Sequence, residues 1–498
     1  MQPFPSPIPP ERRGRTTLVA LLVAGFLIAS TIAVVEFVQL RAANDRIEEL
    51  EARGGQGGGG DGGPFGDVGD LIEDLLGDSE GLFEGVGNLG AQLECLGSSL
   101  GGGSGEAGRT VDEIASQVEG IRELEFKRDV EPEFVSGQEM TSRVSELFLE
   151  DYTPRIADIE ERLLIALGAI PRGTDLRELR AGAIGQQVAG YYEPETGELV
   201  VRQAGAEPSA IDRITLSHEL DHALTDQALD IPLPDDPEIG TEDASLAALA
   251  LVEGDATFVM QRYSATLGFD EQLGLLDPEA IAQSEAGLAG FPPYLEQELL
   301  FPYEEGLSFV CDLYANGGWE AVNRAYESPP DSTAEVLFPD RFRAGEAPVN
   351  PRAQGDRPPE GWRRVTTLEL GAANLLWLFQ APGGDRGQAL PDARAAAGEW
   401  AGGSVEMWTR GPDTALAIGL VDRPDGGSLC DSVRDWYARV DPGDLVWDSG
   451  VETLVSHGVR QDAILECAGD QVSLGIAPTM EVARAAASRT GRARGTNA

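Results

Sequence analysis

The chain has 498 residues, too many for one compact domain, and its 42% hydrophobic content is that of a folding protein, which excludes general disorder. With 85 acidic against 37 basic residues its formal charge is −48, which repels phosphate backbones and excludes nucleic acid as a natural partner. Lys127 is the single lysine, so nearly every cation is an arginine.

Residues 1–15 carry Arg12, Arg13 and Arg15 and precede the uncharged run TTLVALLVAGFLIASTIAVV, Thr16 to Val35. At about 1.5 Å per helical residue, about 20 apolar residues cross a hydrocarbon core of roughly 30 Å. The run exceeds the roughly 7–15 residues of a cleaved leader, and no small-x-small site closes it, so residues 16–40 read as an uncleaved transmembrane signal-anchor. Asp45, Glu48, Glu49 and Glu51 dilute the arginines that follow it, which leaves the N-terminus cytoplasmic and the rest of the chain outside. Residues 41–109 read as an extracytoplasmic tether, because Gly54 to Gly63 is almost all glycine and Gly97 to Gly108 is half glycine.

From Thr110 the pattern becomes helical, with apolar residues at i, i+3 and i+4 over Val111 to Phe126, Gln138 to Asp151, Arg155 to Leu167 and Leu176 to Gln187. Strand-forming runs at Val188 to Tyr192 and Glu198 to Arg202 then flank a Pro-Glu-Thr-Gly turn, which predicts a β-hairpin. A helix over Ile211 to Ala228 follows, and a second, strongly apolar one contains ASLAALALVEGDATFVM. The expected fold is α+β: a mostly helical domain over 110–400, a small α+β unit over 401–480 with a helix near Ser432 to Val440, and a disordered tail over 481–498. Four cysteines allow three pairings, disulfides are chemically permitted outside the cell, and the neighbouring Cys430 and Cys467 are the first candidate pair.

The first of the two helices after the hairpin holds His218-Glu219-Leu220-Asp221-His222, an H-E-x-x-H motif. Histidines four apart project from one helix face, so both imidazoles can reach one tetrahedral zinc, while Glu219 is turned towards the place where a water is activated. A catalytic zinc needs a third protein ligand and an open position. Thr225 and Ala228 stand where a further glycine and histidine would continue the metzincin pattern, so a carboxylate must serve. Thirty residues intervene between His222 and Glu253, which lies in the apolar helix as a ligand, a salt-bridge partner or a member of a narrow polar stripe; a neighbouring zinc favours the ligand. Asp226 and Asp255 are candidates to accept imidazole N–H groups. Tyr191, Tyr192, Tyr303 and His457 are candidates to donate to a developing oxyanion. With two of three histidines in the motif and no G-x-S-x-G or papain-like companion local to His457, a serine or cysteine triad is not supported.

LSHELDHALTDQ followed by ALVEGDAT, with GYYEPETGELVV before them, resembles the gluzincin-type zinc metallopeptidases, and in particular membrane-anchored prokaryotic members. FPYEEGLSFVCDLYANGGW, PPDSTAEVLFPDRF and LELGAANLLWLF extend the likeness over roughly Gln138 to Trp408. The resemblance implies a zincin-like domain that binds zinc through His218, His222 and Glu253, uses Glu219 as base and cleaves peptide or protein substrates. Phe338 departs from it, standing where such sequences often carry histidine. The competing expectation is a non-catalytic envelope protein with a structural zinc, against which Glu219 argues, because a structural site needs no base.

Overall fold

The computed structural model describes residues 108–203, 208–232, 242–275, 290–349, 351, 358–424, 428–448, 453–458 and 460–490. The expected anchor and nearly all of the tether lie outside the described residues, among which no helix is long and apolar enough to cross a membrane. The architecture is mixed α+β, mostly helical, with two sheets.

Helix α1, Val111–Arg122, starts at a capping box in which the Thr110 side chain accepts from Glu113 and the Glu113 side chain accepts from the cap backbone. It stops short of the expected Phe126 because Glu123 takes a left-handed φ of 59°. Strand β1, Glu133–Val135, follows, then α2, Gly137–Asp151, α3, Pro154–Leu167, and α4, Leu176–Gln187, capped by Ser136, Thr153 and Asp175 in turn. The hairpin is present as β2, Gly190–Glu193, and β3, Glu198–Arg202, and β1 pairs parallel to β3 on the side away from β2. Strand β2 is therefore an edge of this three-stranded sheet.

Helix α5, Ala210–Leu229, carries the H-E-x-x-H motif and opens on a Ser209/Asp212 capping box. Helix α6, Glu242–Ser264, packs against it, the short α7 spans Phe269–Gly274, and α8, Pro293–Glu327, lies along α6. The α6–α8 crossing is close because it is built on glycine: a Cβ on Gly254 would stand 2.2 Å from the Gly306 carbonyl, and one on Gly306 would stand 2.2 Å from the Ala250 carbonyl. Neither neighbour is a side chain that can swing away, so Gly254→Ala is expected to destabilise by at least the usual overpacking cost of about 1–3 kcal/mol. Denaturant unfolding measures this, and an unchanged midpoint would contradict the close crossing. Helix α8 breaks at Gly317 and Gly318, where Gly318 has φ 61°, and its last turns carry Trp319 and Tyr326 in a new direction.

Two short helices follow, α9, Thr333–Leu337, and α10, Pro339–Ala344, then β4, Arg363–Glu369, α11, Ala372–Gln380, and α12, Ala393–Gly398. They hold the N-terminal end of α6 in place. Buried Asp243 accepts from Thr333 N at 3.1 Å and from Thr333 Oγ1 at 2.5 Å, and that hydroxyl accepts from Ala373 N at 3.0 Å. Gly371 leaves the space: a Cβ there would stand 1.5 Å from Asp243 Oδ1.

The second sheet is antiparallel, in the order β4-β5-β6-β10-β9-β8-β7, with β5, Trp400–Arg410, β6, Asp413–Asp422, β7, Asp444–Asp448, β8, Thr453–His457, β9, Asp462–Ala468, and β10, Gln471–Ala477. Its first strand, β4, lies before the boundary expected at residue 401, so the C-terminal unit shares its sheet with the helical region. Helix α13, Leu429–Val440, is joined to β9 by a Cys430–Cys467 disulfide. The disordered tail expected over 481–498 is corrected as far as Thr490: α14, Met480–Thr490, packs on β10, β6 and β9. Its stripe of Ala483, Ala486 and Ala487 is wholly buried, and Gly475 admits it, since a Cβ there would stand 2.0 Å from the Ala483 carbonyl.

Candidate metal site

Helices α5 and α6 meet at His218, His222 and Glu253, which are 1%, 6% and 0% exposed. His218 Nε2 lies 3.2 Å from Glu253 Oε2 and 3.0 Å from His222 Nε2, and His222 Nε2 lies 3.6 Å from Glu253 Oε2. Tetrahedral ligands at bonds of about 2.0–2.1 Å stand about 3.3–3.4 Å apart, so three donors at these separations fit one zinc-sized ion. The other Glu253 oxygen, Oε1, is buried and has no hydrogen-bond partner among the described residues, as expected of a carboxylate built to face a cation. The helices bring together a buried His-His-Glu triad compatible with an H-E-x-x-H…E zincin-like site, and the metal it would hold is not specified by the geometry.

Without a metal, burial and the mutual charges move the two imidazoles of the triad in opposite directions. Burial pushes the Glu253 carboxyl up, but the two imidazoles outweigh it and hold the group below its ordinary 4.5. Burial brings His218 down to about 4, against the pull of Glu253. Burial also works against His222, yet the carboxylates of Glu253, Glu219 and Asp221 overcome it and push the imidazole up to about 9.

Glu219 stands beside the triad, 3% exposed, and burial pushes its carboxyl up to about 8. It lies against the backbone of β2: a Cβ on Gly190 would stand 2.9 Å from Glu219 Cγ and 3.0 Å from Oε1. Only glycine leaves the base its place there. Gly190, Tyr191, Tyr192, Pro194, Glu219, His222, Ile231 and Val252 line a small, partly open cleft. The groups that sequence reasoning singled out as metal ligands and base therefore converge on one place.

The remaining expected site residues separate. The Tyr303 ring on α8 lies 6.4 Å, centroid to centroid, from that of His218. The Tyr192 hydroxyl donates to Asp226 at 2.8 Å, so these two candidates meet each other. The Tyr191 phenol lies towards Arg143, whose charge it helps to stabilise. Asp255 is not an imidazole partner: its carboxylate accepts from Arg122 Nε and Nη2 at 3.0 Å and from the Tyr326 hydroxyl at 2.8 Å. The physical reason is helix geometry, since Glu253 and Asp255 are two residues apart and face roughly opposite sides of α6. His457 ends β8, paired with Asp444 and Asp462 in the seven-stranded sheet. Phe338 packs against Gly398 beneath the guanidinium groups of Arg341 and Arg394.

Sequence reasoning missed Gly190, whose signal was a glycine opening a strand just before the motif. It also missed Arg122 and Tyr326, which sequence distance hides. No family model matches the chain, and no curated protein or solved structure matches it either. The class defined by fold and site is thus a mixed α+β protein with a buried His-His-Glu triad able to hold a metal ion.

Proposed function

We propose that this chain is a membrane-anchored, extracytoplasmic zinc metallopeptidase. The observation that carries the reading is Glu219, a buried carboxylate in the cleft beside a His-His-Glu triad, which a purely structural site would not require. His218, His222 and Glu253 would hold the zinc. When bound, zinc would supply Lewis-acid polarisation of a peptide carbonyl and acidify a water. Glu219 accepts the proton of the attacking water and returns it to the leaving amine, so no covalent acyl-enzyme is needed. Tyr303, whose ring is stacked beside that of His218, is the donor candidate for the oxygen on which charge develops. Edge strand β2, which lines the cleft, offers backbone groups to an extended peptide, the usual way a sheet edge recognises main chain.

Zinc-loaded full-length protein is expected to cleave members of a peptide library and to stop when a chelator strips the metal. Equal digestion with and without chelator would remove the metallopeptidase reading. The anchor is proposed from the apolar run at Thr16 to Val35, with the N-terminus cytoplasmic. Protease added to intact cells is then expected to release the folded part by cutting within Gly54 to Gly108. Protection in intact cells with cleavage in lysates would place that part inside.

A further inference from the structure

Behind the triad lies a second buried group of charges that the peptidase chemistry does not use. Arg122, the last residue of α1, is 0% exposed, and its guanidinium grips the equally buried Asp255 through Nε and Nη2, each at 3.0 Å. The Tyr326 hydroxyl donates to the same carboxylate at 2.8 Å, and the Trp319 ring lies 4.3 Å from the guanidinium carbon. Both aromatic residues come after the Gly317–Gly318 break, which gives the end of α8 the direction that delivers them. The group thus joins α1, α6 and the redirected part of α8.

The helix that carries this cation also packs against the other metal-bearing helix. Asp221 precedes His222 on α5, is wholly buried, and neither of its oxygens has a hydrogen-bond partner among the described residues. Helix α1, which ends at Arg122, packs against both α5 and α6. A buried ion pair is seldom the most stable filling for a core, and apolar residues of similar volume often serve as well or better. What such a pair does supply is a fixed geometry, through a planar fork that admits few orientations. Asp255 is two residues from Glu253, and α1 packs against both metal-bearing helices, so the grip of Arg122 on Asp255 sets how α6 and its ligand face α5.

We propose that Arg122, with Asp255 and Tyr326, is a positioning device that holds α5 and α6 at the spacing and rotation the His218, His222 and Glu253 donors need to share one metal ion. The inference rests on the metal-site reading, so the full-length wild-type chain is titrated with zinc first; absence of binding there removes that reading and this one with it. The test then uses the triple variant Arg122→Met, Asp255→Leu, Tyr326→Phe, which replaces the polar group with apolar residues, and the single variant Tyr326→Phe, which removes one hydroxyl. Melting temperature and zinc affinity by chelator competition are measured on each.

A folded triple variant is expected to bind zinc about 10–100-fold more weakly than wild type, the usual loss when the support of metal ligands is removed. The single variant is expected to lose about two- to tenfold, as for one hydrogen bond. Wild-type zinc affinity in either folded variant overturns the proposal. Failure of both to fold also overturns it, because the cluster would then serve folding alone.

Discussion

Glu219→Gln is expected to keep both fold and metal and to lose peptide hydrolysis by about 10²–10⁴-fold, the contribution of a positioned general base. The amide fills the same space against Gly190, where a Cβ would come within 2.9 Å of Glu219 Cγ, so the variant needs no repacking. It cannot accept a proton from water. The same substitution has a consequence for stability in the metal-free protein. Burial raises the Glu219 carboxyl from its ordinary 4.5 to about 8, so its favourable, protonated form is fully present below about pH 4.5 and is lost as the pH rises through 8. Glutamine does not titrate. Metal-free Glu219→Gln is therefore expected to melt at or above metal-free wild type at pH 8, with the gap closing towards pH 4.5. Turnover of peptides by Glu219→Gln at the wild-type rate, with equal zinc content, would remove Glu219 as the base of the hydrolysis. Two proteins that both hold zinc and both cleave nothing would defeat the peptidase reading and favour a binding module with an inert metal.

The triad and its base were legible because their chemistry is written in local spacing. Four residues make one helix turn, so His218 and His222 must share a face wherever α5 goes, and Glu253 stood out as a carboxylate in a run too apolar to leave it unsupported. The hairpin was legible for a similar reason: β-branched and aromatic runs on either side of Thr-Gly allow few other arrangements. Tertiary partnerships were not. Strand β1 has three residues and exists because β3 offers it a parallel edge. Asp255 looked like a partner for imidazole because it follows Glu253, but a two-residue step turns it to the far side of α6, where Arg122 waits 133 positions away in the chain. Helix α14 was hidden because its buried stripe is alanine, too weakly apolar to register as periodicity among arginines, and it is the glycine of β10 opposite that makes so small a stripe a good fit.

Glu253→Gln is expected to abolish zinc uptake at concentrations that saturate wild type, because it takes an anionic ligand from a set of only three and leaves two imidazoles. The loss should appear as stability, since a metal that binds only the native state stabilises it by about 4 kcal/mol when free zinc is 1,000 times the dissociation constant. Added zinc should therefore raise the melting temperature of wild type and leave that of Glu253→Gln where it was. The metal-free proteins should differ in the opposite range of conditions. In wild type, His222 is pushed up from 6.5 to about 9, with Glu253 the foremost of the carboxylates that raise it against burial. That contribution is complete below about pH 6.5 and is lost as the pH rises through 9, so metal-free wild type should weaken across this interval. Without the Glu253 charge the imidazole has less reason to hold its proton in a buried place, so the variant should show a shallower dependence there. Melting curves at pH 6 and pH 9, with chelator and with zinc, measure both effects on one pair of proteins. An equal zinc-induced rise in both would mean that Glu253 is not a ligand, and the third donor would have to be sought elsewhere around His218 and His222.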